Sequence, residues 1–245
     1  MKALIFAAGL GTRLKPLTDT MPKALVPIDG KPLLEHVIQK LKAAGFDQII
    51  VNVHHFPDQI IEFLKSKNNF DIRIEVSDER NNLLDTGGGI KKAGWFFDDG
   101  KPFLVHNVDI LSNIDLQSLY QQHLETSPLA TLVVSERDTF RYFLFDKEAR
   151  LKGWINEKTG EVRPNNFTNA ELFHKLAFSG IQVLSPDVFK LMDHLPDHFS
   201  IVDFYLQNAF NEEIKAYIPT EFKMIDVGKL NVLDEAEQFV RNSEN

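Results

Sequence analysis

A glycine-rich turn directly follows the first apolar run of this chain: Ala7-Ala8-Gly9-Leu10-Gly11-Thr12-Arg13-Leu14-Lys15-Pro16-Leu17-Thr18. Glycines there let backbone N–H groups approach the oxygens of a phosphate with no Cβ in the way. Arg13 and Lys15 would add positive charge. The chemistry such a loop offers is recognition of a polyanion; the competing reading is a plain strand-to-loop turn with no ligand. Two familiar phosphate loops do not fit. The dinucleotide fingerprint G-x-G-x-x-G has Leu14 where its third glycine belongs, and the P-loop string G-x-x-x-x-G-K-[ST] is absent. Pro16 and Pro22 keep the loop from running straight into a helix. The next string, Met21-Pro22-Lys23-Ala24-Leu25-Val26-Pro27-Ile28, holds a single lysine in an apolar run between two prolines.

Other reactive residue types carry less. There is no cysteine, which excludes disulfides, thiolate metal sites and a cysteine nucleophile. His54 and His55 are neighbours, and on an extended segment neighbours point to opposite faces, so they are poorly placed to share an ion. Asp98-Asp99 beside Gly100 reads as a polar turn. Asp234, Glu235 and Glu237 read as a solvated helix face. Phe96, Phe97, Phe103, Phe143, Phe145 and Phe189 sit in strand or helix patterns and are expected in the core. Trp154 could stack on a ring, although ordinary packing accounts for it as well.

The elements that would hold these residues alternate. Residues 2–8 form a short continuous apolar run, as in a strand buried on both faces. Residues 32–44 place Leu33, Leu34, Val37, Ile38 and Leu41 on one helical face, with Pro32 at the start and Gly45 at the stop. Strands are expected at 48–53, 71–76, 103–108 and 130–135. Helices are expected at 57–66, from 86 to 95, and at 116–124. Strands alternating with helices imply βαβ units and a mainly parallel sheet. The pattern loosens after residue 136. Strands are expected at 142–145, 151–155 and 176–184, a loop at 160–168, and helices at 187–192, 201–209 and 231–240 before a polar tail at 241–245. The expected fold is α/β: a Rossmann-like, mainly parallel sheet flanked by helices, with a smaller α+β annex. One domain spans 1–245, with a nucleotide-type half at 1–135, an annex at 136–230, and a final helix and tail at 231–245.

Composition agrees with a globular enzyme. The chain has 245 residues, 43% apolar and 25% charged, so disorder of its bulk is excluded. Lys plus Arg is 27 against 35 for Asp plus Glu, so the formal net charge is 27 − 35 = −8. That excludes a basic nucleic-acid footprint. An anionic substrate would need a local cationic pocket against a repulsive overall field. The first apolar run is too short for a signal peptide, and no run reaches the ~18 apolar residues of a membrane span. A cytoplasmic protein with no nucleic-acid or membrane partner is expected. The chain's end at residue 245 leaves the expectation of a monomer or dimer.

Taken together, GLGTRLKPLT followed by PKALVPI resembles the signature of the sugar-1-phosphate nucleotidyltransferases, the NDP-sugar pyrophosphorylases. The likeness continues nearly to residue 230. Leu84-Asp85-Thr86-Gly87-Gly88-Gly89 looks like the family's second glycine-rich turn, against the nucleotide base. Phe103-Leu104-Val105-His106-Asn107-Val108-Asp109 looks like its strand ending in a metal-binding aspartate. Phe178-Ser179-Gly180-Ile181 looks like the sugar-contacting strand, and Ile225-Asp226-Val227-Gly228 like the late motif with the second aspartate. Two departures stand out. Val108 replaces the usual glycine of Asn-Gly-Asp, so the backbone there must be ordinary. Lys229 replaces the usual threonine after Asp-Val-Gly and puts a cation beside the second aspartate.

The resemblance implies a GT-A-like nucleotidyltransferase fold with a sugar-binding annex. It implies a nucleoside triphosphate and a sugar 1-phosphate as partners, and Mg²⁺ or Mn²⁺ held by Asp109 and Asp226. Arg13, Lys23 and Asp109 would be catalytic. Ala8, Gly9, Gly11, Thr12, Arg13, Lys23, Gly87 and Gly88 would bind the nucleotide. Asn107, Gly180, Asp226 and the pair Glu157 and Lys158 would face the sugar, although Thr159 stands where the family's Glu-Lys pair is followed by proline. The compact subgroup with TGGG and FSGI strings points to UTP with an N-acetylhexosamine- or N-acetylmuramate-type 1-phosphate. GTP with mannose 1-phosphate or a heptose phosphate is the alternative. A nucleotide-sugar-binding regulatory module of weak turnover is the alternative of another class. A nicotinamide-dependent enzyme is disfavoured by Leu14.

Overall fold

The computed structural model describes every residue except Asn166, Thr168, Glu244 and Asn245, and the backbone alone of Ser243. Its centre is a mixed ten-stranded sheet. The first strand, β1 (Lys2–Phe6), is followed by three single turns of tight helix at Thr12–Leu14, Leu17–Asp19 and Lys23–Leu25, as the prolines require. A two-residue hairpin, β2 (Pro27–Ile28) and β3 (Lys31–Pro32), leads into α1 (Leu33–Ala43). Then come β4 (Gln48–Val53), α2 (Pro57–Ser66), β5 (Arg73–Asp78), α3 (Asp85–Lys92) and β6 (Phe103–Asn107). β1 pairs in parallel with β4 and with β6, and β4 in parallel with β5. This is the expected βαβ half. The side chains of β1 alternate as a strand between two layers must: Ala3 and Ile5 join the core under α1, α2 and α4 (Leu116–Thr126), while Leu4 joins the core on the other face with Ile90 of α3.

The remainder closes the sheet in antiparallel fashion. After β7 (Ile110–Ser112) and α4, the chain forms β8 (Ala130–Ser135), β9 (Arg141–Phe145), β10 (Leu151–Asn156), β11 (Glu161–Arg163) and the eleven-residue β12 (His174–Leu184). The end of β12 runs antiparallel to β6, its start to β9, and both stretches touch β8 across a bulge between Phe178 and Gln182. One strand therefore spans the parallel half and the annex. Helices α5 (Asp187–Met192) and α6 (Ile201–Asn208) cover the second face. β13 (Ile214–Tyr217) joins β8, β14 (Met224–Asp226) pairs with β7, and α7 (Leu233–Ser243) packs on the first face. No described helix is long and apolar enough to cross a membrane.

Six strands escape the sequence patterns. β2, β3, β7, β11, β13 and β14 are two to four residues long, too short to show a period. β11 corrects the loop expected at 160–168: Glu161–Arg163 pairs with β10 as a polar edge strand, while Asn166 and Thr168 lie outside the described residues. The expected tail at 241–245 is helical through Ser243, its last two residues lying outside the described ones. The six phenylalanines expected inside are there; five are nearly inaccessible, and Phe189 stacks on Phe97 and Phe103 from the rim of the core.

Two buried histidines make the fold acid-sensitive. His106 on β6 and His123 on α4 are 0% and 1% exposed, and burial pushes both down to about 4. The unfolded chain, with imidazoles near 6.5, binds more protons than the native one between those values, so stability is lost as pH falls through that window. The expected result is a urea midpoint that drops between pH 6.5 and pH 4.5, each histidine contributing on the order of 2–3 kcal/mol. A pH-independent midpoint over that range in circular dichroism would contradict the burial of neutral imidazoles.

Candidate active site

The carboxyl ends of three adjacent parallel strands form the floor of the main cleft. In register, Phe6 of β1 lies beside Asn52 of β4 on one side and Asn107 of β6 on the other. All three line a cavity of about 430 Å³ with Ala8, Gly9, Lys23, Glu79, Thr86, Asp109 and His198. Open parallel sheets bind ligands at this end because the loops diverge there and leave a crevice. Asn52 explains why β1 stops at Phe6: its Oδ1 accepts from the Ala7 and Ala8 N–H groups at 2.7 and 3.2 Å, taking them out of the ladder. Its amide donates to Glu79 at 2.9 Å, and the other Glu79 oxygen accepts from Leu84 N–H at 3.3 Å. Burial pushes the Glu79 carboxyl up, opposed by these two bonds. Neither Asn52 nor Glu79 was singled out from the sequence; a polar residue ending the IIVN run is the signal that could have found Asn52.

The glycine-rich loop is held by local bonds. Gly11 adopts φ +63°, where a side chain would meet Thr18 Cγ2 at 2.8 Å. The Thr18 hydroxyl, buried, donates to Gly11 O at 2.9 Å. Ala8 and Gly9 reach the cavity wall, whereas Gly11 and Thr12 lie off it. Lys23 is fixed by the turn Pro22–Val26 and is 8% exposed. Its ammonium forms an ion pair with Asp109.

Asp226, 117 residues beyond Asp109 (226 − 109), arrives by strand pairing. β14 runs antiparallel to β7 with Asp226 opposite Ile110, and Val227 N–H donates to Asp109 O at 2.8 Å. The two aspartates therefore stand side by side. Partial desolvation, then the negative charge of Asp109, hold the Asp226 carboxyl above its ordinary value, against the pull of Lys23, Arg13 and Arg137. Gly228 is the gap that admits Arg13: a Cβ there would meet the Arg13 guanidinium and the Asp226 carboxylate, both at 2.8 Å. Arg13 thus lies at a second cavity of about 610 Å³, with Arg137, Arg141, Phe140, Trp154, Asp226 and Lys229 on its wall. Arg137 and Arg141 are absent from the sequence reading, since isolated arginines in an irregular segment carry no pattern.

Three expected contacts take a different place. Gly87 and Gly88 do not line the cavity; both N–H groups donate to Phe199 O at 2.9 and 3.2 Å, and their bare Cα atoms let α3 pack on the Asp197–Phe199 backbone. Gly180, at φ +74°, is where the Asn107 side chain lies across the β12 bulge, so it acts through Asn107 and not on a cavity wall. Glu157 and Lys158 sit on the turn after β10, facing solvent. Glu157 pairs with Lys175 at 2.9 Å and Lys158 lies 5.8 Å from the Phe140 ring centre. His54 and His55 hydrogen-bond separate carbonyls, of Glu79 and Thr18. No group of three or more His, Cys, Asp or Glu among the described residues is arranged to hold a metal. The donor set that remains, two adjacent carboxylates open to a cleft, suits a hard cation that takes its other oxygens from phosphates and water.

The sequence profile of the nucleotidyl transferase family matches residues 2–243. The N-acetylmuramate alpha-1-phosphate uridylyltransferase of Caulobacter vibrioides is 45% identical over 109 residues, 44% of this chain and 45% of the relative. The mannose-1-phosphate guanyltransferase of Aspergillus fumigatus is 32% identical over 200 residues, 80% of this chain and 52% of the relative. The chain spans about half the length of these curated relatives. Among solved structures, HddC from Yersinia pseudotuberculosis complexed with GMP-PN superposes with a TM-score of 0.76 at 26% identity, covering 97% of this chain and 98% of that one.

Asn52→Leu removes the acceptor of two buried N–H groups and the donor to a buried carboxyl. It is expected to cost on the order of 2–4 kcal/mol in chemical denaturation. A loss below ~0.5 kcal/mol would show that the Asn52–Glu79 pair does not hold the cleft floor.

Proposed function

The chain belongs to the nucleotidyl transferase family, and from that membership and the cleft geometry we propose that it transfers a nucleotidyl group from a nucleoside triphosphate to a sugar 1-phosphate, releasing pyrophosphate. The observation that carries the reading is the meeting of Lys23 and Arg13, from the first loop, with Asp109, just before β7, and Asp226, at the end of β14. A phosphate oxygen of the sugar 1-phosphate attacks the α-phosphorus in line as the α–β bridging oxygen leaves with pyrophosphate. The nucleophile is already an anion, so no general base is required. The difficulty is bringing two anions together, and fixed cations address it. Lys23 neutralises the α-phosphate and the incoming sugar phosphate. Arg13, resting on Gly228, neutralises the departing pyrophosphate. Gly9, with the Gly11–Thr12 turn behind it, lets the triphosphate approach the backbone. Mg²⁺ or Mn²⁺ held by Asp109 and Asp226, when bound, would offset charge on the phosphates. Asn107, positioned by Gly180, orients the sugar from the floor of the cleft.

For the substrates we favour UTP with an N-acetylhexosamine- or N-acetylmuramate-type 1-phosphate, supported by the uridylyltransferase relatives at 45% and 42% identity. GTP with mannose 1-phosphate is the competing pair, supported by the guanyltransferase relative that aligns over more of the chain. The activity is proposed for the cytoplasm.

Pyrophosphate release, followed across the four common nucleoside triphosphates and a panel of sugar 1-phosphates with Mg²⁺, is expected for one pair above all others; none from any pair sinks the reading. Asp109→Asn is expected to stay folded and to lose most of its turnover, by ~100-fold or more, at limiting Mg²⁺. Wild-type rates there would remove Asp109 from the reaction. Lys23→Ala is expected to lower kcat by ~100-fold with little change in melting temperature, and a large stability loss with unchanged kcat would make Lys23 structural.

A further inference from the structure

Lysine at position 229 runs against its local energetics. Lys229 precedes the single helical turn Leu230–Val232, which continues directly into α7. Its backbone has the extended conformation of a helix cap, φ −144° and ψ 154°, yet no side chain caps that start. A hydroxyl is favoured there, because its oxygen accepts from an unmet N–H of the first turn. A cation instead faces the positive end of the helix dipole, where Asp234 and Glu235 of the next turn are the favoured charges. The threonine usual after Asp-Val-Gly would cap this helix, and Lys229 forgoes that contact. Departures from local preference concentrate where a residue has another use.

The Lys229 side chain lines the cavity of about 610 Å³ with Arg13, Asp226 and the rings of Phe140, Trp154 and Phe178. A tight turn fixes its backbone there, with Gly228 N–H donating to Asp226 O at 2.8 Å. Among the described residues this cavity shares no lining residue with the cavity of the glycine-rich loop, and the two meet where Asp226 stands beside Asp109. Five of the eight arginines hold carboxylates elsewhere: Arg73, Arg80, Arg150, Arg163 and Arg241. Arg13, Arg137, Arg141 and Lys229 form no ion pair among the described residues, and all four line this cavity. Three of the four are placed already. Arg13 rests on Gly228, Arg137 donates to Phe178 O at 3.1 Å, and Arg141 is shared with the outer recess beside Asn156 and Ser200. The cations that pull hardest on Asp226 are Lys23, Arg13 and Arg137, so that acid does not require Lys229. Lys158, expected to face the sugar, is turned to solvent over Phe140.

We infer that Lys229 is a substrate-binding residue of the transfer reaction, its ammonium holding the phosphate of the incoming sugar 1-phosphate from the annex side while Lys23 holds it from the other. This rests on the transferase reading above. No bond or proton passes through Lys229. It offsets the charge of the nucleophile while an oxygen of that phosphate bonds to the α-phosphorus and the α–β bridge breaks. A compact ammonium on a flexible stem suits a phosphate that must move toward its target.

Pyrophosphate release is measured with UTP plus N-acetylmuramate 1-phosphate and with GTP plus mannose 1-phosphate, for the wild type, Lys229→Thr, Lys229→Arg and Lys158→Ala. Lys229→Thr is expected to raise KM for the sugar phosphate ~10–100-fold, the loss of one charged hydrogen bond, with KM for the triphosphate within about twofold. Its melting temperature is expected to equal or exceed that of the wild type, since threonine caps the helix. Lys229→Arg is expected to hold KM for the sugar phosphate within about fivefold, and Lys158→Ala within about twofold. An unchanged sugar phosphate KM in Lys229→Thr overturns the inference and leaves the transferase reading standing. So does a rise confined to the triphosphate, an equal rise in Lys158→Ala, or a rise with a lowered melting temperature that Lys229→Arg does not rescue. If neither pair turns over, the same two sugar phosphates and their unphosphorylated sugars are titrated calorimetrically into chain saturated with Mg²⁺ and the α,β-imido triphosphate. Wild type is then expected to prefer the phosphorylated sugar, and Lys229→Thr to cut that preference ~10-fold or more. A preference that is absent, or unchanged in Lys229→Thr, overturns the inference, whereas the transferase reading falls only if no pair of triphosphate and sugar phosphate releases pyrophosphate.

Discussion

The antiparallel pairing of β14 with β7 is the contact on which the site depends. It is only three residues long on each side, yet it sets Asp226 against the residue that follows Asp109, and the Val227 amide holds the Asp109 carbonyl. Two carboxylates brought this close repel each other, which adds to burial in raising the Asp226 carboxyl. The fold counters that repulsion with the Lys23 ammonium on Asp109 and the Arg13 guanidinium laid over Gly228. Charge is thus balanced within the cleft before any substrate enters. An arriving cation and phosphates exchange partners with groups that are already in place, so less reorganisation accompanies binding.

That balance relies on backbone gaps at two positions. Gly11 must take positive φ so that the first loop can turn back over Thr18 toward Lys23, and Gly228 must lack a side chain so that Arg13 can approach Asp226. Gly11 packs on Thr18 and Lys23, and Gly228 on Arg13 and Asp226, so each glycine fixes a cation that faces the two acids. The Asn52–Glu79 pair performs a similar service on the floor, where it ends β1 and leaves the Ala8–Gly9 backbone exposed to the cleft.

Much of the parallel half was legible from the chain itself, because strands such as 48–53 and helices such as 33–43 repeat apolar residues at the period of their own structure. The convergence of Asp109 and Asp226 was not. No spacing rule links positions 117 residues apart, and the strands that join them are too short to leave a period, so that pairing entered only through the resemblance of the motifs. Glu157 and Lys158 show the opposite failure: the right residue types in the right order, carried to solvent by a turn that the string does not encode. Gly87 and Gly88 were read as a ligand surface when their use is close packing against Phe199, a distinction that composition alone does not make. Arg137 and Arg141 were missed because a charge matters here for lacking a partner, and partnership is a property of three dimensions.

The long strand β12 gives the molecule a mechanical spine. Its first residues belong to the annex through β9 and its last to the parallel half through β6, so the cavity on the parallel strands and the cavity on the annex are tied to opposite ends of one continuous ribbon. Neither wall can slide past the other without shearing ladder bonds. The compliant place is the interruption around Gly180, where the register with β8 slips and the Asn107 side chain rests. A bend of the ribbon at that joint would be felt directly by Asn107, a residue of the cleft floor.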